Sequence, residues 1–287
     1  MDTDLLKTFL EVSRTRHFGR AAENLFISQS AVSARIRLLE ENVGVPLFTR
    51  ERNNIALTPS GQKLVRHAER ILDSWNRARQ DITVQDNAQT TLAVGGTPSL
   101  WDIALQEWLG WVYRETPGAA LSAEAAGDEI LVRRVLDGTL DLAFLFEPPQ
   151  TAQLQVAELF RVPLILVSSS PDQSAAQAVA ARYVLVDWGT SFAISHARHF
   201  PDMPAPSLRA GMGRIALAFL LDNGGAAYLA RPMVEAHLAD GRLFPVEDAP
   251  VIDRTAYAAF PLQSDKGVEI RQLLDHFSRL PWNRPAV

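Results

Sequence analysis

Between Leu64 and Ile82 the apolar residues Leu64, Ala68, Ile71, Trp75, Ala78 and Ile82 recur at steps of 4, 3, 4, 3 and 4. A mean step near 3.5 describes a coiled-coil seam, not a broad core face. Thr58-Pro59-Ser60-Gly61 places an N-cap residue before a proline at the first helical position, a strong helix start. The spacing therefore predicts one helix over residues 59–84, ~39 Å long at ~1.5 Å per residue. A rod of that length with one apolar stripe needs a partner. Either a second copy supplies it, or the chain's own C-terminal part does.

The two ends that this helix joins differ chemically. Residues 1–85 carry 13 Lys and Arg against 10 Asp and Glu, a net of +3; residues 86–287 carry 15 against 23, a net of −8. A basic front end points to a polyanion, an acidic back end to something else. Cysteine is absent, which removes disulfides, thiolate metal sites and cysteine nucleophiles. Met1-Asp2-Thr3-Asp4-Leu5-Leu6 carries two acids and no basic region before an apolar run, so no secretory signal is read there. No stretch approaches ~18 consecutive apolar residues. The expectation is a cytoplasmic protein with no membrane partner.

In the front end, Leu5, Leu6, Phe9, Leu10 and Val12 mark an amphipathic helix, and Arg20–Leu25 a short alanine-rich one. Ser28 caps a third, whose Val32, Ile36, Leu39 and Val43 face a core and which Gly44 ends. Its other face holds Gln29, Ser30, Ser33, Ala34 and Arg37: small or polar, with one cation. Such a helix is slim enough to enter a major groove, where Gln29 can pair bidentately with adenine and the serines can meet bases or phosphates. Periodicity alone leaves open a plain helical subdomain with a solvated face. Residues 47–58 then read as a hairpin whose tip carries Arg50, Arg52, Asn53 and Asn54, a wing able to hold phosphates or a minor groove.

Ala21-Ala22, Leu25, Ser28-Gln29-Ser30-Ala31-Val32-Ser33, Ile36, Leu39-Glu40, Gly44-Val45, Leu47-Phe48, Arg50, Leu57-Thr58 and Gly61 together resemble the LysR-type transcriptional regulators. Residues 14–20 and the Arg52-Asn53-Asn54 tip are most similar to the HdfR-like subgroup. The pattern departs from the family at Ser30, often proline, at Ala34, often basic, and at Asn53, where an arginine is usual. The resemblance implies a DNA-binding regulator with an N-terminal all-α winged helix-turn-helix, a long linker helix and a C-terminal α/β, two-lobed, periplasmic-binding-protein-like domain. It implies a winged domain over 1–58, a dimerisation helix over 59–85, a hinge at 86–91 and an effector or oligomerisation domain over 92–287. One lobe would span about 92–161 and 264–287, the other about 162–263. Expected partners are duplex DNA with inverted half-sites, further copies in a homodimer or homotetramer, and RNA polymerase if the protein activates.

The back end alternates strands and helices on its own evidence. Strands are expected at 92–95, 121–126, 140–146, 162–167, 183–186, 226–230 and 256–260, with a helix over 216–221, giving an α/β fold. Ligands in such folds sit beyond the carboxyl ends of strands, at helix N-termini. Thr97 and Ser99 fit that layout, and Trp188, Thr190 and Ser191 repeat it with an indole for stacking. The threonines can equally be simple N-caps. If they form a site, a small anionic or aromatic effector is its expected occupant, and no cofactor is called for.

Enzymatic readings are weak. His196, His199 and Asp202 lack further ligands at metal-site spacing, Asp137 and Asp141 read as solvated turn residues, and neither a Gly-x-Ser-x-Gly elbow nor a phosphate loop occurs. The expectation is a non-enzymatic transcriptional regulator. The alternatives are a cytosolic small-molecule binding protein and a DNA-binding oligomer without an effector.

Overall fold

The computed structural model describes residues 2–51, 54–83 and 91–279, except the side chains of 50, 51, 54, 77, 80–83 and 279. It divides into two compact units, residues 1–86 and 87–287.

The first unit holds α1 (Thr3–Thr15), α2 (Phe18–Asn24), α3 (Gln29–Val43), a hairpin of β1 (Phe48–Glu51) and β2 (Asn54–Leu57), and α4 (Pro59–Thr83). Asp2 caps α1 by accepting from the Asp4 N–H at 2.9 Å, and Gly44 at φ +75° closes α3. Ala21 and Ala22 are buried and let α2 lie close to its neighbours, while Phe48 packs its ring against Phe9 at 5.5 Å and Phe18 at 6.3 Å. Polar contacts fasten the hairpin root. The Glu40 carboxylate on α3 accepts from the Leu47 and Phe48 N–H groups at 2.8 and 3.2 Å. The Thr58 hydroxyl donates to the Pro46 carbonyl at 2.8 Å and accepts from the Gly61 N–H at 3.0 Å, capping α4.

The seam expected along α4 divides in two. Ala68 is fully buried in this unit's own core, with Leu64, Val65 and Leu72 packed against that core. Leu64 and Ala68 are therefore already covered, because α1 lies beside the first turns of α4. Ile71 and Trp75 are exposed, Trp75 by 47%, and Ala78 is half-buried. The Ile82 side chain falls outside the described residues. Val43, expected in the core, is exposed at the end of α3.

The second unit begins with β3 (Thr91–Gly96), α5 (Pro98–Leu100), a π-helical turn at Trp101–Leu105, α6 (Gln106–Glu115), β4 (Ala120–Ala125), α7 (Asp128–Leu136) and β5 (Leu142–Leu145). It continues with β6 (Leu154–Ser168), α8 (Ala175–Ala180), β7 (Tyr183–Val186), α9 (Thr190–His199), β8 (Leu208–Ala210), α10 (Gly213–Asn223), β9 (Ala226–Ala230) and α11 (Arg231–Ala239). Short β10 (Phe244–Pro245), long β11 (Ile252–Pro261), α12 (Gly267–Leu274) and a 3-10 turn at Asp275–Arg279 complete it. The strands form one mixed sheet in the order β4-β3-β5-β11-β6-β9-β7-β8, with β10 beside β6. β3, β4 and β5 are parallel to one another, as are β7, β8 and β9. The two lobes thus each carry a parallel three-stranded set. The long antiparallel pair β6 and β11, matched from Leu154 against Pro261 to Leu164 against Ile252 with one bulge at Ala256/Tyr257, runs between them.

β6 starts eight residues before the expected strand, because its first half alternates buried and exposed positions. β11 likewise starts at Ile252. Asp141 is not a solvated turn residue: its carboxylate is buried, accepts from the Ala93 N–H at 2.8 Å and meets the Lys266 ammonium at 3.0 Å. A Cβ built on Gly61 would lie 2.2 Å from the Leu47 carbonyl oxygen. Gly61→Ala should therefore force α4 off the hairpin root and destabilise the first unit by roughly 1–3 kcal/mol. Urea unfolding followed by helical circular dichroism checks this as an earlier first transition.

Candidate DNA-reading and effector sites

At the start of α3 the Ser28 hydroxyl accepts from the Ala31 N–H at 3.2 Å and lies 2.9 Å from the Ser30 hydroxyl. Ser28, Gln29, Ser30 and Arg37 are exposed and Ser33 is half-buried, opposite the buried stripe of Val32, Ile36 and Leu39. At ~100° per residue, Ser30, Ser33 and Arg37 fall within ~60° of one another. They form one narrow face, and the helix start adds free N–H groups and the positive end of the dipole. Arg37 has no carboxylate within ion-pair distance among the described residues, whereas Arg35 is tied to Asp4 at 3.5 Å and Thr8 at 3.3 Å. The turn before α3 holds Phe26 at φ +54°, 95% exposed, a feature the sequence reading passed over. Arg52, Asn53 and the Arg50 side chain lie outside the described residues.

In the second unit, Thr97 follows β3 at the N-cap of α5. It makes no side-chain cap, and its buried hydroxyl has no hydrogen-bond partner. Its N–H donates to the Phe144 carbonyl at 3.2 Å, tying it to the end of β5. Ser99 is half-buried. In the other lobe Gly189, at φ +90°, is the N-cap of α9, and Asp187 accepts its N–H at 3.0 Å. Thr190 and Ser191 open α9 and are exposed.

Arg254 on β11 lies between the end of β5 and the start of α9. It is 3% exposed, pairs with Glu147 just beyond β5 at 3.0 Å, and holds its guanidinium 5.1 Å from the centre of the Phe146 ring. A Cβ on Gly189 would approach its Nη2 to 3.0 Å. Asp128, at the start of α7, is held above the ordinary carboxylate range, first by burial and then by the charge of Glu147; the Glu147 N–H and Arg254 act in the opposite sense. Asp102 in the π-helical turn forms an ion pair with Arg214 at the start of α10, across the two lobes, and its other oxygen is buried without a partner. A cavity of about 680 Å³ runs along α9. It takes in Asp187 and Gly189 but neither Thr97 nor Ser99, so it is a feature of one lobe and not the place where the strand ends converge.

Residues 3–62 match the bacterial regulatory helix-turn-helix protein family, lysR family, and residues 85–280 match the LysR substrate binding domain. The chain belongs to the LysR family. It is 39% identical over 284 residues to the HTH-type transcriptional regulator HdfR of Yersinia pestis (strain Pestoides F), covering 96% of this chain and 95% of that one. The HdfR of Yersinia pseudotuberculosis serotype O:1b (strain IP 31758) matches to the same extent. Among solved structures, full-length CbnR complexed with its target DNA is similar with a TM-score of 0.75 at 20% identity, over 97% of this chain and 99% of that one. A full-length OxyR variant from Pseudomonas aeruginosa has a TM-score of 0.60 at 22% identity, covering 100% and 98%. At these identities the structures establish the fold. The chain is a LysR-type DNA-binding transcriptional regulator with an effector-binding domain.

Within that framework one expected effector residue changes role. Trp188 is 2% exposed, donates its indole N–H to the Tyr228 carbonyl at 2.9 Å, and presses its ring where a Cβ on Gly213 would sit 2.8 Å away. It braces its lobe from within, and its ring also forms part of the wall of the cavity along α9. His196 is also structural, buried with its Nε2 2.8 Å from the Tyr183 hydroxyl. Among the described residues no group of three or more His, Asp or Glu side chains is placed to hold a metal, and no helix is long and apolar enough to cross a membrane. Arg254 was missed. Its signal was its place between Ile252 and Ala256 on the buried phase of an alternating strand. Trp188→Phe should leave the Tyr228 carbonyl unpaired and cost roughly 1–3 kcal/mol. Thr190→Ala, at an exposed position, should stay within about 0.5 kcal/mol. Denaturant midpoints of the two variants check the contrast.

Proposed function

We propose that α3 reads the major groove of duplex DNA through Gln29, Ser30, Ser33 and Arg37, with Ser28 capping the helix and meeting a phosphate. Arg50, Arg52 and Asn53 hold the backbone from the wing. The observation that carries this reading is the slim exposed face of α3 with the uncompensated Arg37 on it. Phosphate contacts position the helix, and base-edge contacts specify the site.

Two copies pair through the later turns of α4, where Ile71, Trp75, Ala78 and Ile82 continue the seam that Leu64 and Ala68 leave, and read inverted half-sites. The organisation proposed is a winged domain over 1–58, a dimerisation helix over 59–85, a hinge at 86–91 and a regulatory domain over 92–287. The assembly is a homodimer or homotetramer in the cytoplasm, acts without catalysis, and engages RNA polymerase where it activates. Its effector is a small anion held between the lobes by Thr97, Ser99, Thr190 and Ser191. The unpartnered Thr97 hydroxyl and the start of α9 support that placement.

The test is selection of sheared genomic DNA by the purified protein at moderate salt, beside a Gln29→Ala/Ser33→Ala variant. Sharp enrichment of sites with inverted half-sites, lost in the variant, is expected; diffuse, salt-sensitive recovery shared by both proteins overturns the reading. On the selected site, Gln29→Ala should lose about 1–3 kcal/mol of discrimination at one base pair. Arg52→Ala should weaken all sequences alike and lower the salt slope by about 1. Fluorescence anisotropy across a salt series separates the two.

A further inference from the structure

We propose that Arg254 is the receptor for a carboxylate group of the effector, and that Glu147 is its built-in occupant, which the incoming acid displaces. This deepens the effector reading given above and rests on it.

A buried cation needs a counter-charge, and the partner Arg254 has is an unusual one. The arginine is 3% exposed, but the Glu147 side chain that pairs with it is 48% exposed. The ion pair of Asp141 with Lys266 in the same unit shows the ordinary structural arrangement, with both partners largely covered and the acid also accepting a backbone N–H. Glu147 instead reaches in from the solvent side and can leave by a rotamer change. Its seat is also crowded, because Asp128 lies close enough for the two charges to oppose each other.

The surroundings call for a better ligand than one glutamate. The guanidinium offers five donors in a planar fork that suits a carboxylate bidentately. The Glu147 contact occupies one nitrogen, while Nε is buried without a partner. The guanidinium also lies against Gly189, at the positive start of the ten-residue helix α9. Gly189 is required there twice over, since its φ is +90° and a Cβ would crowd Nη2. Two positive groups held together favour an anion beside both. Phe146 under the guanidinium gives the site an apolar wall suited to a planar acid. A small carboxylic acid satisfies these groups together.

Acetate is the minimal probe. Full-length wild type, Glu147→Gln, Glu147→Gln/Arg254→Met and Glu147→Gln/Arg254→Lys are unfolded thermally in sodium acetate and in sodium chloride of equal ionic strength. Glu147→Gln should show a saturable, acetate-specific rise in midpoint. Its apparent affinity should be roughly tenfold or more above that of wild type, because the competing carboxylate charge is removed while the buried guanidinium stays. The rise should vanish with Met at position 254 and shrink with Lys, the arm that keeps the charge if the Met variant folds poorly. An acetate response equal in wild type and Glu147→Gln, or unchanged in both double variants, overturns the proposal. Failure of the wider effector reading looks different: acetate would bind at Arg254, yet no acid would alter DNA binding.

Discussion

The antiparallel pairing of β6 with β11 is the contact on which the regulatory half depends. Each lobe has a small parallel set of strands, and parallel strands need both faces covered to be stable. Neither set closes on itself. The long pair supplies the inner neighbour to both, β11 to β5 on one side and β6 to β9 on the other. Because the same two strands serve both lobes, any side chain on them near the crossing stands between two sets of strand ends. Arg254 occupies that position, and Glu147 and Gly189 meet it for this topological reason.

In the DNA-binding half the corresponding constraint is the junction of α3, the hairpin and α4. Glu40 takes two backbone donors at the hairpin root, and Thr58 bridges Pro46 to the start of α4. These bonds set the direction in which the wing leaves α3 and the direction in which the long helix leaves the wing. Gly61 completes the junction by letting α4 run against the Leu47 carbonyl. The polar face of α3 then stays exposed because its apolar stripe is used up by α1, α2 and Phe48.

Much of this was legible in the residues. Helix starts at Ser28 and Thr58, the stop at Gly44 and the change from helical to strand periodicity after residue 91 are local events, set within a turn or two of chain. The polar, exposed face of α3 was legible for the same reason, as a helix has only one period to satisfy. The errors fell where burial is decided by distant neighbours. Ala68 lay on a perfect heptad, yet α1 covers it. Asp141 sat beside a turn glycine, yet Lys266 and Ala93 draw it inside.

The sequence by itself determined which segments become helix or strand, which helix face is slim and polar enough for a groove, and that two chemically different halves are joined by one long helix. Those properties follow from periodicity, capping and charge, which act over a few residues. Only the tertiary structure decided which buried polar groups meet. Arg254, Glu147 and Gly189 lie far apart along the chain, and a crossing strand brings them together. No local pattern encodes that meeting, because it depends on the order in which the strands join the sheet.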